Sequence, residues 1–274
     1  MQSTASAVGC FLFCYNSKML PIGIIGLGDL GTTLSSKIRA SGLLVKTFDT
    51  NPAISHTEVA PESAISRTSF VFLCIPTNAT ETILDELVSA EAGIAISFSK
   101  GLNNDGKTVA EMMLERLGAE GRWAVSGGPM LASEIASGRA SFSALGATSE
   151  AVWMETSKLF GRIGIYSVGS DDPLGISMLG VLKNVYTIGI GIAVGLNLGN
   201  NFYGAMGATS MVEIRRILKS FQYEVDSDLA SELAGIGDLI ATSGSGASHH
   251  RSIGIQIVQT GRVKTSEGTE SARL

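Results

Sequence analysis

Two lysines of this sequence lie in surroundings that favour proton chemistry. Lys100 follows an apolar run in the segment Ser99-Lys100-Gly101, and Lys183 directly precedes a stretch, 184–212, that has no charged residue. Lysine is rarely buried unless it is paired or functional. A desolvated lysine, or one beside a second cation, has a lowered pKa and can transfer a proton near neutral pH. Lys183 is therefore a candidate for proton transfer; the alternative is a side chain that extends along a domain edge to reach water.

A glycine-rich segment, Gly26-Leu27-Gly28-Asp29-Leu30-Gly31, has the pattern G-x-G-x-x-G between a predicted strand and a predicted helix. The first glycine permits a tight turn, the second lets the backbone approach a pyrophosphate, and the third lets helix and strand pack closely. The free N–H groups of the helix N-terminus favour an anion. This pattern predicts a dinucleotide site, which includes Asp29 and Leu30 by position, although the Asp29 carboxylate suits a helix cap better than a pyrophosphate ligand.

Asp49 ends the second predicted strand. An acid at that place accepts hydrogen bonds from the adenosine ribose and repels the additional phosphate of NADP. The sequence therefore favours NAD over NADP. The alternative is a plain glycine turn with Asp49 as a cap.

Apolar runs alternate with helical patterns over the first part of the chain, which is typical of a doubly wound, mostly parallel sheet. Strands are predicted at 21–27, 44–49, 70–75, 94–98, 123–126, 141–145 and 163–166, with helices at 29–40, 80–90, 108–117 and 150–160. From there on only helices are predicted, at 174–196, 200–221, 226–233 and 248–260. The fold class is α/β, with a Rossmann-type dinucleotide-binding domain over 19–170 and an all-α substrate domain over 171–274. Residues 1–18 are interpreted as a disordered or overextended N-terminus.

Composition limits the class of protein. With 274 residues, 45% apolar and 16% charged, the chain is long and apolar enough to bury a core without disulfides. A net charge of −5 argues against nucleic-acid binding.

Three cysteines indicate a reducing, cytoplasmic compartment. No metal site is expected, although Cys10 and Cys14 have metal-like spacing. The glycines and asparagines of 184–212 favour a packed helix pair over a stable membrane span.

Together these segments resemble NAD(P)-dependent glycerol-3-phosphate dehydrogenases over about residues 20–271. The matching blocks follow in the family's order: the glycine segment 26–31, Ser-Lys-Gly-Leu at 99–102, Ser-Gly-Gly-Pro-Met-Leu-Ala-Ser-Glu at 126–134, Leu-Lys-Asn-Val at 182–185, Gly-Ile-Ala-Val-Gly-Leu at 191–196, Gly-Ile-Gly-Asp-Leu at 235–239 and Glu-Gly at 267–268. Several blocks in one order are far more specific than any one of them.

The resemblance implies reversible hydride transfer between NAD(H) and C2 of dihydroxyacetone phosphate. It implies that Lys183 is the general acid and base, with Lys100 and Asp238 as the other catalytic residues. Lys100, Ala132, Thr265 and Glu267 are implied as cofactor contacts beside the glycine loop and Asp49. The implied substrate contacts are Lys100, Gly128, Met130, Lys183, Asn184, Asp238, Thr242, Ser248, His249, His250 and Arg251. The resemblance also implies a cytoplasmic homodimer that serves glycerophospholipid metabolism.

The sequence departs from the family at the phosphate site. Ser248-His249-His250 lies where the family carries Ser-Arg-Asn, and Arg251 follows. Arginine binds phosphate through two parallel hydrogen bonds, which histidine does less well. We expect Arg251 to be the main phosphate ligand, assisted by His249 or His250; two surface histidines at a helix start are the alternative.

Three functions remain open at this point. The first is a glycerol-3-phosphate dehydrogenase, which these blocks favour. The second is a related NAD-dependent dehydrogenase of another small hydroxy acid or keto substrate, such as a 3-hydroxyisobutyrate-type enzyme. The third is a nucleotide-binding homologue without turnover. The phosphate site distinguishes the first from the second, and turnover distinguishes both from the third.

Overall fold

The structure is a computed structural model that describes residues 20–58, 60–223, 228–246, 248–263 and 265–273. The expectations for residues 1–18, and for Cys10 and Cys14 among them, fall outside these described residues.

A single sheet organises the first part of the described chain. Its strands are β1 (Ile22–Ile25), β2 (Val45–Phe48), β3 (Phe70–Leu73), β4 (Ile94–Ser97), β5 (Trp123–Gly127), β6 (Ser141–Ala147) and β7 (Ile165–Ser170). They lie in the order β2-β1-β3-β4-β5-β6-β7. The helices between them are α1 (Asp29–Ala40), α2 (Pro61–Ile65), α3 (Thr77–Ser89), α4 (Val109–Leu117), α5 (Ala132–Ala136) and α6 (Glu150–Arg162).

The predicted doubly wound sheet is confirmed. All strand pairs are parallel except β5 with β6, which are antiparallel. The short helices α2 and α5 were not predicted, because each is too short to show a period; the antiparallel pairing of β5 with β6 was not predicted, because strand direction depends on how the chain packs. Strand β2 lies on one side of β1 and β3 lies on the other. The strand order therefore reverses between β1 and β3, and the switch point lies at their carboxyl ends. Ligands of such sheets bind at that point.

The sheet is buried on both faces, which explains its continuous apolar strands. Along β3, Val71 and Leu73 belong to one core cluster, while Phe72 between them belongs to the other. Successive strand residues point to opposite faces, and here both faces are covered by helices. The cluster around Val71 also contains Ile176 and Leu179 of the helical part, so the two parts of the chain share one core.

Helices make up the rest of the described chain: α7 (Pro173–Gly195), α8 (Asn200–Ser220), α9 (Leu229–Glu232), a π-helical turn (Leu233–Gly237), α10 (Asp238–Gly244), α11 (His249–Thr260) and α12 (Glu267–Ser271). The last strand ends at Ser170 and α7 begins at Pro173; the division into two domains there stays a prediction. The predicted helix 226–233 differs: α9 begins at Leu229, after the Asp228 cap, and passes into the π-helical turn.

The central helix of this part is α7. In the described chain it is the one helix long and apolar enough to cross a membrane, but 61% of its apolar window is buried inside the protein. It packs very closely on α11: a Cβ added to Gly254 would lie 2.2 Å from the carbonyl oxygen of Ile188. This burial identifies α7 as a core helix, which makes the lysine within it unusual.

Candidate active site

A buried carboxylate joins the two lysines singled out by the sequence. Asp238 Oδ2 lies 2.6 Å from Lys100 Nζ and 3.1 Å from Lys183 Nζ. Lys183 Nζ also donates to Thr242 Oγ1 at 3.0 Å, and that hydroxyl donates to Asp238 Oδ1 at 3.0 Å. The exposed fractions of the side chains are 3% for Asp238, 5% for Lys183 and 21% for Lys100. Lys100 is therefore the more open end of the network and Lys183 the desolvated one.

Three separate elements bring these side chains together. Lys100 follows β4 at the carboxyl edge of the sheet, Lys183 lies within α7, and Asp238 is the first residue of α10. The π-helical turn directly precedes Asp238, and such turns occur frequently at functional sites. Lys100 Nζ donates in addition to the carbonyl oxygen of Gly128, after β5, at 3.3 Å.

The charges of the network set its protonation. Burial lowers the pKa of Lys183 to about 8; the carboxylate of Asp238 opposes this shift and the ammonium of Lys100 adds to it. Burial alone would raise the pKa of Asp238, but the two ammonium groups outweigh it and hold that pKa below its usual value. Lys183 can therefore exchange a proton near neutral pH while Asp238 stays ionised.

A cavity of about 390 Å³ lies where the two parts of the chain meet. We call it the glycine-loop cavity. Its wall on the sheet side comes from the glycine loop and the ends of β3 and β4, and its wall on the helical side from α11 and α12. The lining residues are Gly28, Asp29, Leu30, Cys74, Ile75, Pro76, Phe98, Ser99, His249, His250, Ser266 and Glu267. The cavity lies at the switch point of the sheet, as expected for a ligand of this fold.

The geometry of the glycine loop fits a pyrophosphate. Gly26 has φ +90°, and a Cβ on Gly31 would lie 1.9 Å from the carbonyl oxygen of Gly26, so no side chain fits there. Gly28 differs: nothing lies within 4 Å of a Cβ placed on it, because its backbone borders the open cavity. No side chain caps the N-terminus of α1, which leaves its N–H groups to a ligand. Leu30 and the exposed Asp29 line the same opening.

Asp49 lies beside this loop. Its Oδ2 accepts a hydrogen bond from the backbone N–H of Leu27 at 2.6 Å, and its Oδ1 accepts one from Asn51 at 2.8 Å. The acid is thus fixed against the first turn of the dinucleotide pattern. A carboxylate oxygen has more than one lone pair, so both oxygens can still accept from a ribose hydroxyl.

The start of α11 places the histidine pair at the cavity. Among the described residues, His249 and His250 line it, whereas Arg251 does not. Burial, and then the charge of Lys183, lower the pKa of His250 to about 4, so this imidazole is neutral at pH 7. The buried atoms His250 Nε2 and Arg251 Nε have no hydrogen-bond partner in the described chain. Ser248 caps the helix by accepting from the N–H of Arg251 at 3.3 Å.

The other residues taken from the resemblance differ in how they relate to this centre. Asn184 Nδ2 donates to the carbonyl oxygen of Lys100 at 2.9 Å, so Asn184 fixes the Lys100 loop, while its buried Oδ1 has no partner among the described residues. Met130 packs against the core, and its sulfur accepts from Ser126 at 3.3 Å. Ala132 begins α5. Thr265 is exposed two residues before Glu267.

One contact of the site was not predicted. Glu267 Oε1 accepts from both the backbone N–H and the hydroxyl of Thr77, at 2.9 Å and 3.0 Å. Thr77 carried no signal in the sequence beyond following Pro76, because its partner is distant along the chain. The same helix, α12, also touches the Lys100 loop, where Ser271 Oγ accepts from the N–H of Leu102 at 3.3 Å.

Comparison with known sequences identifies the family. The model of the "NAD-dependent glycerol-3-phosphate dehydrogenase C-terminus" matches residues 172–273, and that of the N-terminus matches residues 50–152. The chain belongs to the NAD-dependent glycerol-3-phosphate dehydrogenase family. The resemblance inferred from the sequence is thereby confirmed. The matched ranges contain both lysines, Asp238 and the histidine pair, whereas the glycine loop precedes them and is supported by its own geometry.

Curated relatives of this glycerol-3-phosphate dehydrogenase family match nearly the whole chain. A glycerol-3-phosphate dehydrogenase [NAD(P)+] of Trichlorobacter lovleyi is 28% identical over 268 residues, covering 88% of this chain and 80% of the relative. One of Synechococcus elongatus is 27% identical, covering 92% and 83%. The glycerol-3-phosphate dehydrogenase structure from Coxiella burnetii has a TM-score of 0.78 at 22% identity, covering 93% of this chain and 87% of that one. It supports the fold.

No metal centre accompanies this site in the described ranges. Within them, no group of three or more histidine, cysteine, aspartate or glutamate side chains is arranged to hold a metal ion.

Proposed function

We propose that this chain is an NAD-dependent oxidoreductase that interconverts dihydroxyacetone phosphate and sn-glycerol 3-phosphate. The observation that carries the proposal is the buried Lys183–Asp238–Lys100 network close to the glycine-loop cavity, in a chain of this family. A bound nicotinamide supplies the hydride to C2 of the ketone and takes it back in the reverse direction. The protein's part is to bind, orient and move the proton.

Lys183 is the proton donor and acceptor for the C2 oxygen. Reduction of a carbonyl needs a proton at the developing alkoxide, and the donor works best when its pKa lies near the working pH. Burial lowers the pKa of Lys183 to about 8. Its protonated amine therefore gives up a proton during reduction, and its neutral form takes one during oxidation.

Lys100 and Asp238 prepare that step. The ammonium of Lys100 lies at the more open end of the network, where it attracts an anionic substrate and stabilises charge on the C2 oxygen. Asp238 orients both amines through one oxygen, and Thr242 holds Lys183 from the side. The substrate site is lined on the β5 side by Gly128 and Met130. The carbonyl oxygen of Gly128 accepts a hydrogen bond from Lys100.

NAD is bound across the glycine-loop cavity. Gly26, Gly28 and Gly31, with Asp29 and Leu30 between them, surround the pyrophosphate, and Asp49 accepts from the adenosine ribose. Lys100 and Ala132, and from the helical part Thr265 and Glu267, complete the cofactor site. The open backbone at Gly28 and the position of Asp49 beside Leu27 support this arrangement. The carboxylate of Asp49 makes NADH the preferred cofactor over NADPH.

The substrate phosphate is bound at the start of α11. Arg251 provides the permanent cation, and His249 and His250, with Ser248, complete the subsite. The unpartnered buried nitrogens His250 Nε2 and Arg251 Nε support a polar ligand there. A charge-assisted hydrogen bond is about twice as strong as a neutral one, which is why Arg251 is assigned the main role. Asn184, through its unpartnered Oδ1, accepts from a substrate hydroxyl.

The decisive experiment is NADH oxidation followed at the nicotinamide absorbance, with dihydroxyacetone phosphate and, in parallel, unphosphorylated dihydroxyacetone. We expect turnover of the phosphate ester and little of the free ketone. NADH binding without turnover of either substrate contradicts the proposal and favours a nucleotide-binding homologue without activity.

A second candidate is a related dehydrogenase whose small hydroxy or keto substrate has no phosphate. The histidine pair in place of Ser-Arg-Asn favours it. Under this alternative the two ketones are turned over at similar rates, or neither is a substrate while a small keto acid is.

The assembly proposed for the enzyme is a homodimer in the cytoplasm, where its product enters glycerophospholipid metabolism. Exposed apolar side chains at the turn from α7 to α8, namely Leu196, Leu198 and Phe202, support self-association. Light scattering on the purified chain tests this: a monomer mass at micromolar concentration contradicts it.

A further inference from the structure

The hydrogen bonds of Thr77 to Glu267 connect the two parts of the chain at the edge of the glycine-loop cavity. Thr77 is the first residue of α3 and is 1% exposed. Glu267 is the first residue of α12 and lines the cavity. One carboxylate oxygen, Oε1, accepts from both the N–H and the hydroxyl of Thr77.

The chemistry of the helix start explains why the bond forms. Pro76 precedes α3 and offers no side-chain cap, so the N–H groups of the first turn need an outside acceptor. A carboxylate is favoured there because the helix N-terminus carries a partial positive charge. Glu267 provides this acceptor from the other part of the chain.

The bond also fixes where the rest of the carboxylate points. Gly101, directly after Lys100, packs closely against Thr77 and Glu267. A Cβ on Gly101 would lie 3.0 Å from both Glu267 Oε1 and Thr77 Oγ1. With Oε1 held by Thr77, the second oxygen, Oε2, makes no hydrogen bond in the described chain and remains available to a ligand.

From this arrangement we propose that Thr77 is a positioning residue for cofactor binding. It acts through Glu267: its hydroxyl fixes one carboxylate oxygen and so presents the other to NADH. This inference rests on the proposed function, in that it takes NADH as the ligand of the cavity. Thr77 itself does not touch the reacting atoms.

The test compares NADH dissociation constants, measured by fluorescence titration, for matched variants. Thr77→Val removes the hydroxyl and keeps the shape; we expect Kd to rise about three- to ten-fold, the range for loss of one hydrogen bond. Thr77→Ser keeps the hydroxyl and should restore wild-type Kd. Thr80→Val makes the same change one turn later, where the hydroxyl donates only to the carbonyl of Pro76 at 3.3 Å, and should leave Kd unchanged.

A double-mutant cycle separates positioning from general damage to the fold. In a Glu267→Ala background, Thr77→Val should cause no additional rise in Kd, because the group that Thr77 positions is gone. An additive effect, an unchanged Kd in Thr77→Val, or a loss in Thr80→Val as large as in Thr77→Val overturns the inference.

The kinetic constants give a second readout. Thr77→Val should raise KM for NADH and leave kcat with saturating NADH within about two-fold, whereas a damaged Lys100 loop would lower kcat. If the wild type neither binds NADH nor turns over dihydroxyacetone phosphate, the proposed function fails. If it does both and Thr77→Val behaves as wild type, only the role of Thr77 fails.

Discussion

Lys183 Nζ lies 3.1 Å from Asp238 Oδ2 in an interior where both side chains are almost fully excluded from water. The pair is not isolated, because the same carboxylate oxygen also binds Lys100. A buried carboxylate shared by two amines stays ionised, while the more buried amine has a lowered pKa. The relationship supports the proposed roles, proton transfer for Lys183 and orientation of the two amines for Asp238.

Replacement of Lys183 tests the proton-transfer role directly. Lys183→Ala should lower kcat by about 10²-fold or more, because the developing alkoxide loses its proton donor. NADH binding should stay near the wild-type value. The measurement is steady-state turnover of dihydroxyacetone phosphate beside an NADH titration, and near-wild-type turnover would refute the assignment. Lys100→Ala is the companion variant and should raise KM as well as lower kcat.

The pH dependence of catalysis should follow the pKa of Lys183. With a pKa of about 8, the amine is protonated below that pH and neutral above it. For ketone reduction, kcat/KM should therefore fall as pH rises through about 8, and for alcohol oxidation it should rise through the same region. Asp238→Asn removes the charge that raises the pKa of Lys183, so the transition should move to lower pH. An unmoved transition in this variant contradicts the coupling.

Stability should change with pH through the same lysine. The folded pKa of Lys183 is lowered from 10.5 to about 8, so between these values the unfolded chain binds more protons at this residue. The free energy of unfolding should rise with pH across that window, by an amount on the order of 3 kcal/mol at most. Urea unfolding from pH 7.5 to 10 measures it. In Lys183→Met this rise in the free energy of unfolding should be missing. Equal slopes of the unfolding free energy against pH in the wild type and the variant would refute the contribution of Lys183.

Asp49 should decide the cofactor preference. The wild type should bind NADH more tightly than NADPH, because the carboxylate of Asp49 repels the 2′-phosphate of NADPH. Asp49→Ala should reduce the preference and Asp49→Arg reverse it. Fluorescence titrations with both nucleotides give the ratio. Tighter NADPH binding by the wild type would show that Asp49 does not face the ribose.

The phosphate subsite is tested by single and combined changes at the start of α11. Arg251→Ala should raise KM for dihydroxyacetone phosphate by one to two orders of magnitude, about 1.5–3 kcal/mol for a bond to a charged group, with little effect on the unphosphorylated ketone. The double variant His249→Arg with His250→Asn restores the family pattern and should lower KM.

Controls at the same positions separate binding from structure. Equal losses on both ketones in Arg251→Ala would indicate a structural role for that arginine. No effect on either, together with a large rise in KM for His249→Ala or His250→Ala, would assign the phosphate to the imidazoles that line the cavity. Because the pKa of His250 is lowered to about 4, this imidazole would bind phosphate as a neutral donor, and its contribution to KM should not change between pH 6 and 8.

Local patterns in the sequence were sufficient for the fold class and for the dinucleotide loop. The central strands β1 and β3 are short apolar runs. The glycine spacing dictates a left-handed turn at Gly26 and a close approach at Gly31, where a Cβ would meet the carbonyl oxygen of Gly26. Lys183 was also visible as a candidate functional residue, because a lysine within a packed apolar helix is unusual.

The tertiary structure alone decided which groups meet. Lys100, Lys183 and Asp238 are far apart in sequence, so the carboxylate oxygen that the two amines share cannot be predicted from spacing. The Thr77–Glu267 bond joins residues that are 190 positions apart in sequence, so it too cannot be predicted from local patterns. Short-range periodicity records which face of an element is buried, whereas partners across a core depend on how the elements pack, and that is fixed only when the whole chain folds.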